Sequence, residues 1–288
     1  MASFDFIDAS SRGYAFIWEE RGYLARVAIP VLFVKIVCLL CVFVLGLQDQ
    51  FARQGFVLLP SHILEAVFVV GLIRYALYRE AIFIWGKMVP VPPTDQKYEP
   101  YKGVMSRKQC VQGGIVMYVL LMVIFLGMTS IAYESTKGSV NMDVPQISVE
   151  PSEVAALPAP VEGNGLSSLT NAAVLFAIIA TFVWVFRFFW LYIPIAMGIS
   201  LRGFLKRISG MQSSIFMIAT ALVCFLPLIV FFMISMQIFS GIFADGSAGN
   251  ILVRAILESV AGLTILSVQV VAMTYGFVEI LSGDKNGK

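Results

Sequence analysis

Residues 187–210 read RFFWLYIPIAMGISLRGFLKRISG, and their reading decides the fold. An apolar run enters from Asn171 and reaches Arg187 after roughly 24 Å of rise at helical pitch. The rings of Phe188, Phe189, Trp190 and Tyr192 then crowd together, and Arg202, Lys206 and Arg207 follow with no acid between them. Aromatic rings settle where a bilayer meets water, and loops rich in lysine and arginine stay on the cytoplasmic side. The stretch therefore reads as a spanning helix that reaches a cytoplasmic boundary and continues as a basic amphipathic segment.

Composition agrees with that reading over the whole chain. Of 288 residues, 59% are hydrophobic and only 13% charged, and the mean hydropathy is +0.86. Values of this kind belong to polytopic membrane proteins rather than soluble domains. The longest polar intervals, 87–108 and 134–170, are too short to bury a core of their own without metals or disulfides. A net charge of +2 offers no electrostatic basis for nucleic-acid binding. Cys38, Cys41, Cys110 and Cys224 sit in or beside apolar segments, so no disulfide framework is expected. The Cys38–Cys41 CxxC encloses Leu39 and Leu40 and reads as packing. His62, the sole histidine, lies beside Ser61 at the start of a span, so no metal or other cofactor is expected.

Taken from its beginning, the chain opens with an amphipathic segment, 1–22. Phe4, Ile7, Ser11, Tyr14 and Trp18 follow a three-four spacing, with Asp5, Asp8, Arg12, Glu19 and Glu20 mostly on other faces. It is expected to lie in the membrane interface. Asp5 and Asp8 precede any arginine, and the run after Arg26 has the length of a full span, so a cleaved signal is not expected.

Six spans follow, at 23–47, 61–86, 113–133, 171–198, 211–240 and 251–281. They form two membrane halves, 23–133 and 171–281, on either side of a connection at 134–170, with a polar tail at 282–288. The predicted fold class is thus all-α, a six-span helix bundle with interfacial amphipathic helices. Residues 48–60 form a short loop. The second span carries Glu65, Arg74, Arg79 and Glu80 and must face protein or water, which makes it central. Pro227 predicts a kink in the fifth span. Residues 87–108 hold VPVPP with Lys97, Lys102, Arg107 and Lys108, a second basic loop. Residues 134–170 hold Asp143, Glu150, Glu153 and Glu162 with scattered prolines and only Lys137 as a base, an extended or disordered connection.

Charge placement orients the bundle. With the odd loops outside, Arg53 and Lys137 are their only bases, while the N-terminal segment, the two basic loops and the tail hold thirteen of the 20 lysines and arginines. Both termini are then cytoplasmic and the acidic connection is outside. Lys35, Arg74, Arg79, Arg187 and Arg254 fall within spans. Counting depth from the span starts places Lys35, Arg74 and Arg187 in the cytoplasmic half, Glu65 and Arg254 nearer the outer face, and Glu258 near the midplane. An intramembrane network of Lys35, Glu65, Arg74, Arg254 and Glu258 follows, with Lys35 facing Glu258. Against it stands a simpler reading, in which Lys35 and Arg74 snorkel to lipid phosphates and the acids join helices.

SRGYAFIWEERGYLARVAIPVLFV and LRGFLKRISGMQSSIFMIATALVCFLPLIV each pair an amphipathic stretch with a proline-containing span, the layout of a parallel internal duplication. Through Gly13 to Phe16, Arg26 to Pro30 and residues 187–210 the chain resembles bacterial inner-membrane proteins of the YciC kind and the membrane domain joined to some glycerophosphodiester phosphodiesterases. That resemblance implies a six-span bundle in the bacterial inner membrane; the phosphodiesterase catalytic domain has no counterpart here.

No Walker A loop or GxGxxG turn appears, no aspartate lies in a span, and one histidine cannot supply a hydrolase pair, so no enzymatic activity is expected. The expected role is membrane-organising or accessory. Lys35, Arg74, Arg187, Arg202, Lys206 and Arg207 would contact the bilayer through anionic phospholipid headgroups, or contact another membrane protein. The competing expectation is a small transporter or channel with a polar path along the second and sixth spans.

Overall fold

The computed structural model describes residues 4–84, 87–88, 106–140, 176, 180–208, 210–240, 242–243 and 246–282. The chain is an all-helical membrane bundle. Among the described residues its helices are α1 (Phe6–Glu19), α2 (Arg21–Val44), α3 (Phe51–Tyr78), α4 (Arg107–Val140), α5 (Ala180–Ala196), α6 (Leu201–Arg207), α7 (Met211–Ser240) and α8 (Ala248–Ser282). Five of them, α2, α3, α4, α7 and α8, are long and apolar enough to cross a membrane, so the protein is multi-pass. Of the fourth expected span, 171–198, the helical part 180–196 is short, and most of the remainder lies outside the described residues.

Local chemistry sets several boundaries. Asp5 caps α1, its Oδ1 accepting from the backbone N–H groups of Ile7 and Asp8 at 2.9 and 3.1 Å. Ser200 caps α6 in the same way through Gly203. Arg187–Trp190 tightens into a 3-10 turn within α5. After α3, Arg79 takes a left-handed conformation at φ 51°. The chain reverses there, and the Ile82 N–H donates to the Tyr23 hydroxyl at 2.9 Å. A two-residue antiparallel pair follows, Phe83 opposite Met88 and Ile84 opposite Lys87.

Two sequence expectations are corrected. Residues 51–60 are not a loop but the first turns of α3, which runs through Pro60, so His62 and Glu65 lie well inside the helix. A proline removes one N–H from a helix, yet an adequately packed helix survives that loss. α4 continues to Val140, into the expected polar connection, whose remainder lies outside the described residues. α1 also has a protein-facing side: Ala9, Gly13 and Phe16, with Phe4 just before the helix, are buried against α7 and α8, while Ile7, Ser11 and Trp18 of the expected interfacial face stay exposed. Gly13 makes this seat. A Cβ there would lie 2.9 Å from the Ala272 Cβ and 3.1 Å from the Val268 carbonyl oxygen. Tyr14 locks the helix to α7, its hydroxyl donating to the Cys224 carbonyl at 2.7 Å.

α3 is the central helix, as its charges predict. It packs on α2, α4, α5 and α8, and Ala66, Phe68, Val69, Val70, Leu72 and Ile73 along it are fully enclosed. A helix apolar all round must be surrounded, and the polar residues it also carries are then surrounded too.

Candidate functional site

Two stripes bring charge into the bundle. On α2 the inward stripe is Val31, Lys35, Cys38 and Val42, with the three uncharged members buried. On α3, Ser61, His62 and Glu65 share one face at three- and four-residue spacing. Where the two helices meet, the Lys35 Nζ donates to Glu65 Oε1 at 2.6 Å. The other carboxylate oxygen, Oε2, lies 3.2 Å from His62 Nδ1. Glu65 is 5% exposed and Lys35 17%. Lys35 stands about 21 Å of rise from the start of α2, and Glu65 about 20 Å from the end of α3, so the pair sits level within the spans.

Three other helices close around it. From α4, the fully buried Tyr118 stands beside Glu65. Its ring meets that of Tyr192, from α5, edge-on at 5.1 Å. From α8 comes Gly262, where a Cβ would stand 3.2 Å from the Lys35 Nζ. Any larger residue there would press on the ammonium group. Two polar atoms of the cluster have no hydrogen-bond partner, His62 Nε2 and Ser61 Oγ, although both are buried. Buried polar atoms almost always find partners, so the two orphans set this cluster apart from an ordinary buried ion pair.

The expected single network of Lys35, Glu65, Arg74, Arg254 and Glu258 is three separate groups. Lys35 reaches the sixth span as expected, but at Gly262, one turn beyond Glu258, and its acid is Glu65 of the second. Glu258 pairs with Arg254 on its own helix at 2.8 Å, with side chains 34% and 58% exposed. Arg74 belongs to the end of α3. Its Nε donates to Glu80 at 2.8 Å and its Nη1 to the Ala196 carbonyl at 3.0 Å, and Arg107 meets the same Glu80 carboxylate at 2.8 Å. Burial would raise the Glu80 carboxyl, but the two guanidinium groups hold it below the usual carboxylate range. Beside it, Glu20 accepts from Arg79 and from the Tyr75 hydroxyl, and so ties the α1–α2 junction to the end of α3.

The six expected lipid or anion contacts divide likewise. Lys35 and Arg74 have protein acids and do not snorkel to the surface. Arg187 is buried at 6% exposure and donates to the Ile208 carbonyl at 2.9 Å. Arg202, Lys206 and Arg207 are exposed on α6, Arg207 donating also to the Leu281 carbonyl at 3.0 Å.

The buried cluster includes residues that sequence reasoning passed over: His62, Ser61, Tyr118, Tyr192 and Gly262. The α2 stripe was the available signal, because a lysine in register with Val31, Cys38 and Val42 must point where they point. Among the described residues, no three His, Cys, Asp or Glu side chains gather in a way that could hold a metal ion. No protein-family model, curated protein or solved structure matches the chain.

Proposed function

We propose that the protein is a small, non-enzymatic membrane transporter in which Lys35, Glu65 and His62 form a proton-exchange site within the bilayer. One observation carries the reading: a charged cluster enclosed by five helices retains two orphaned polar atoms, His62 Nε2 and Ser61 Oγ. Ionisable groups at membrane depth are expensive and commonly mark proton or substrate paths. Histidine is the side chain that changes charge near neutral pH. Glu65, held between Lys35 and His62, is the natural relay, and Tyr118 steadies its position.

Reconstitution in proteoliposomes tests this proposal directly. Under an imposed potassium diffusion potential, wild-type protein is expected to pass protons, read by a pH-sensitive dye. Glu65→Gln and His62→Ala are expected to abolish the flux, whereas Arg254→Gln leaves it intact. Flux that survives Glu65→Gln, or a wild type that carries none, refutes the assignment.

The orientation belongs to the same proposal: a bacterial inner membrane, as in YciC-type proteins, with both termini cytoplasmic. Its support is the sequence bias that puts thirteen of the 20 lysines and arginines in the N-terminal segment, the two basic loops and the tail. A cysteine introduced at Gly203 is expected to resist membrane-impermeant reagents in intact spheroplasts, and one at position 164 to react. A second reading, an accessory or membrane-organising subunit, draws on the outward-facing Arg202 and Lys206 of α6. Protein that carries no protons yet co-purifies with a defined partner would favour it.

A further inference from the structure

Most bulky cations inside the bundle have an acid. Lys35 has Glu65, Arg74 has Glu80, and Arg79 has Glu20. Arg187 differs. It is 6% exposed, and no carboxylate among the described residues pairs with it. Its Nη1 donates to the Ile208 carbonyl, and its Nε is buried with no acceptor at all. The guanidinium lies over the rings of Trp184 and Phe188, 4.3 and 5.2 Å from their centroids. Stacking on aromatic faces stabilises a guanidinium but does not neutralise it. A buried charge without a counter-ion is costly, and an N–H donor without an acceptor adds to that cost.

The surroundings name the missing partner. Ile208 follows directly on Arg207, at the corner between α6 and α7, so the head of Arg187 lies in the most basic turn of the described chain. Arg202 and Lys206 project outward from α6 and have no acid partner among the described residues. Trp184, which covers one face of the guanidinium, is itself 46% exposed on α5. A planar guanidinium suits a phosphate, which accepts two N–H bonds at once.

We infer that Arg187 is the anchor of a binding site for the phosphodiester of an anionic phospholipid at the α6–α7 corner, with Arg202 and Lys206 gathering the lipid from outside. This site is independent of the proton-exchange cluster and uses none of its residues. Anion binding supplies the counter-charge that no described residue provides, and the exposed indole of Trp184 borders the place where the acyl chains begin.

The test is carried out on the full chain in nanodiscs of phosphatidylglycerol and phosphatidylcholine, with lipid retention read by native mass spectrometry. Wild-type protein is expected to retain phosphatidylglycerol over phosphatidylcholine by about tenfold, the scale of one charge-assisted hydrogen bond. Arg187→Met is expected to erase that preference. Arg202→Ala with Lys206→Ala is expected to weaken it while leaving phosphatidylglycerol favoured. An unchanged preference in Arg187→Met, or none in the wild type, overturns the proposal. Inorganic phosphate competing at equal concentration would also overturn it, by assigning the site to a soluble anion. Should Arg187→Met fail to fold, phenylglyoxal labelling of Arg187 in the wild type decides the matter. Protection by phosphatidylglycerol but not phosphatidylcholine supports the site, and equal labelling in both lipids refutes it.

Discussion

Two acid–base pairs of the spanning helices have the same chemistry and opposite circumstances. Arg254 and Glu258 lie four residues apart on α8, pair at 2.8 Å and stay largely exposed. Lys35 and Glu65 are thirty residues apart, come from different helices, pair at 2.6 Å and are enclosed. The first pair exists wherever α8 is helical. The second exists only if α2 and α3 meet in one register, and only there can its energetics be large, because water no longer screens the charges. The difference separates an ornament of one helix from a component of the assembled bundle.

The sharpest way to break the comparison is to remove one partner from each pair. Glu65→Ala leaves the Lys35 ammonium enclosed and alone, and is expected to destabilise the protein by about 3–5 kcal/mol. Thermal unfolding in detergent reads the loss. The double replacement Lys35→Leu with Glu65→Leu removes both charges and is expected to be close to neutral for stability while still abolishing proton flux. A double variant as unstable as Glu65→Ala would mean that the pair holds the helices together and has no other task.

A second perturbation leaves both pairs in place and disturbs α1 instead. Gly13→Val forces a side chain into the close approach to Ala272, and is expected to cost about 1–3 kcal/mol as α1 lifts from α7 and α8. The environment of Trp18, on the exposed side of α1, should change with it.

Glu80 adds a pH dependence outside the spans. Its carboxyl is depressed in the folded protein by Arg74 and Arg107 against the opposing effect of burial. A depressed acid stabilises the fold fully above its unfolded-state value, and that contribution is lost as pH falls through the folded-state value. Stability should therefore decline on acidification below the usual carboxylate range. Glu80→Gln should flatten that acid limb in a series of unfolding midpoints.

The smallest effect is expected at the exposed pair. Arg254→Ala should change stability by no more than about 0.5 kcal/mol, the scale of an exposed helix pair. A loss approaching that of Glu65→Ala would erase the contrast between the two.

Legibility in the sequence follows the same division. Five spans and the central place of α3 were readable, since each depends on a pattern within one helix. The partner of Lys35 was misread for a definite reason. Measured from Ser61 and from Arg26 the two residues fall at different levels, whereas α3 begins at Phe51 and α2 at Arg21. Ten residues of helix amount to about 15 Å, enough to move Glu65 from near one face to the level of Lys35. Arg187 was placed among the lipid contacts with Lys35 and Arg74, and nothing in the linear pattern separates it from them. Only the structure reveals that the other two have carboxylates and that it has none among the described residues.

What the chain's order alone determined is what burial in a bilayer demands of any sequence: apolar runs long enough to cross, with most charge outside them. Hydrophobic length and helical period act locally, so they survive without knowledge of the neighbours. Tertiary structure alone decided which charge meets which. Each residue turns a helix by about 100°, so pairing across helices depends on where each helix starts and how it is rotated, and packing sets both. Thirty residues separate Lys35 from Glu65, and only the meeting of α2 with α3 makes them one site.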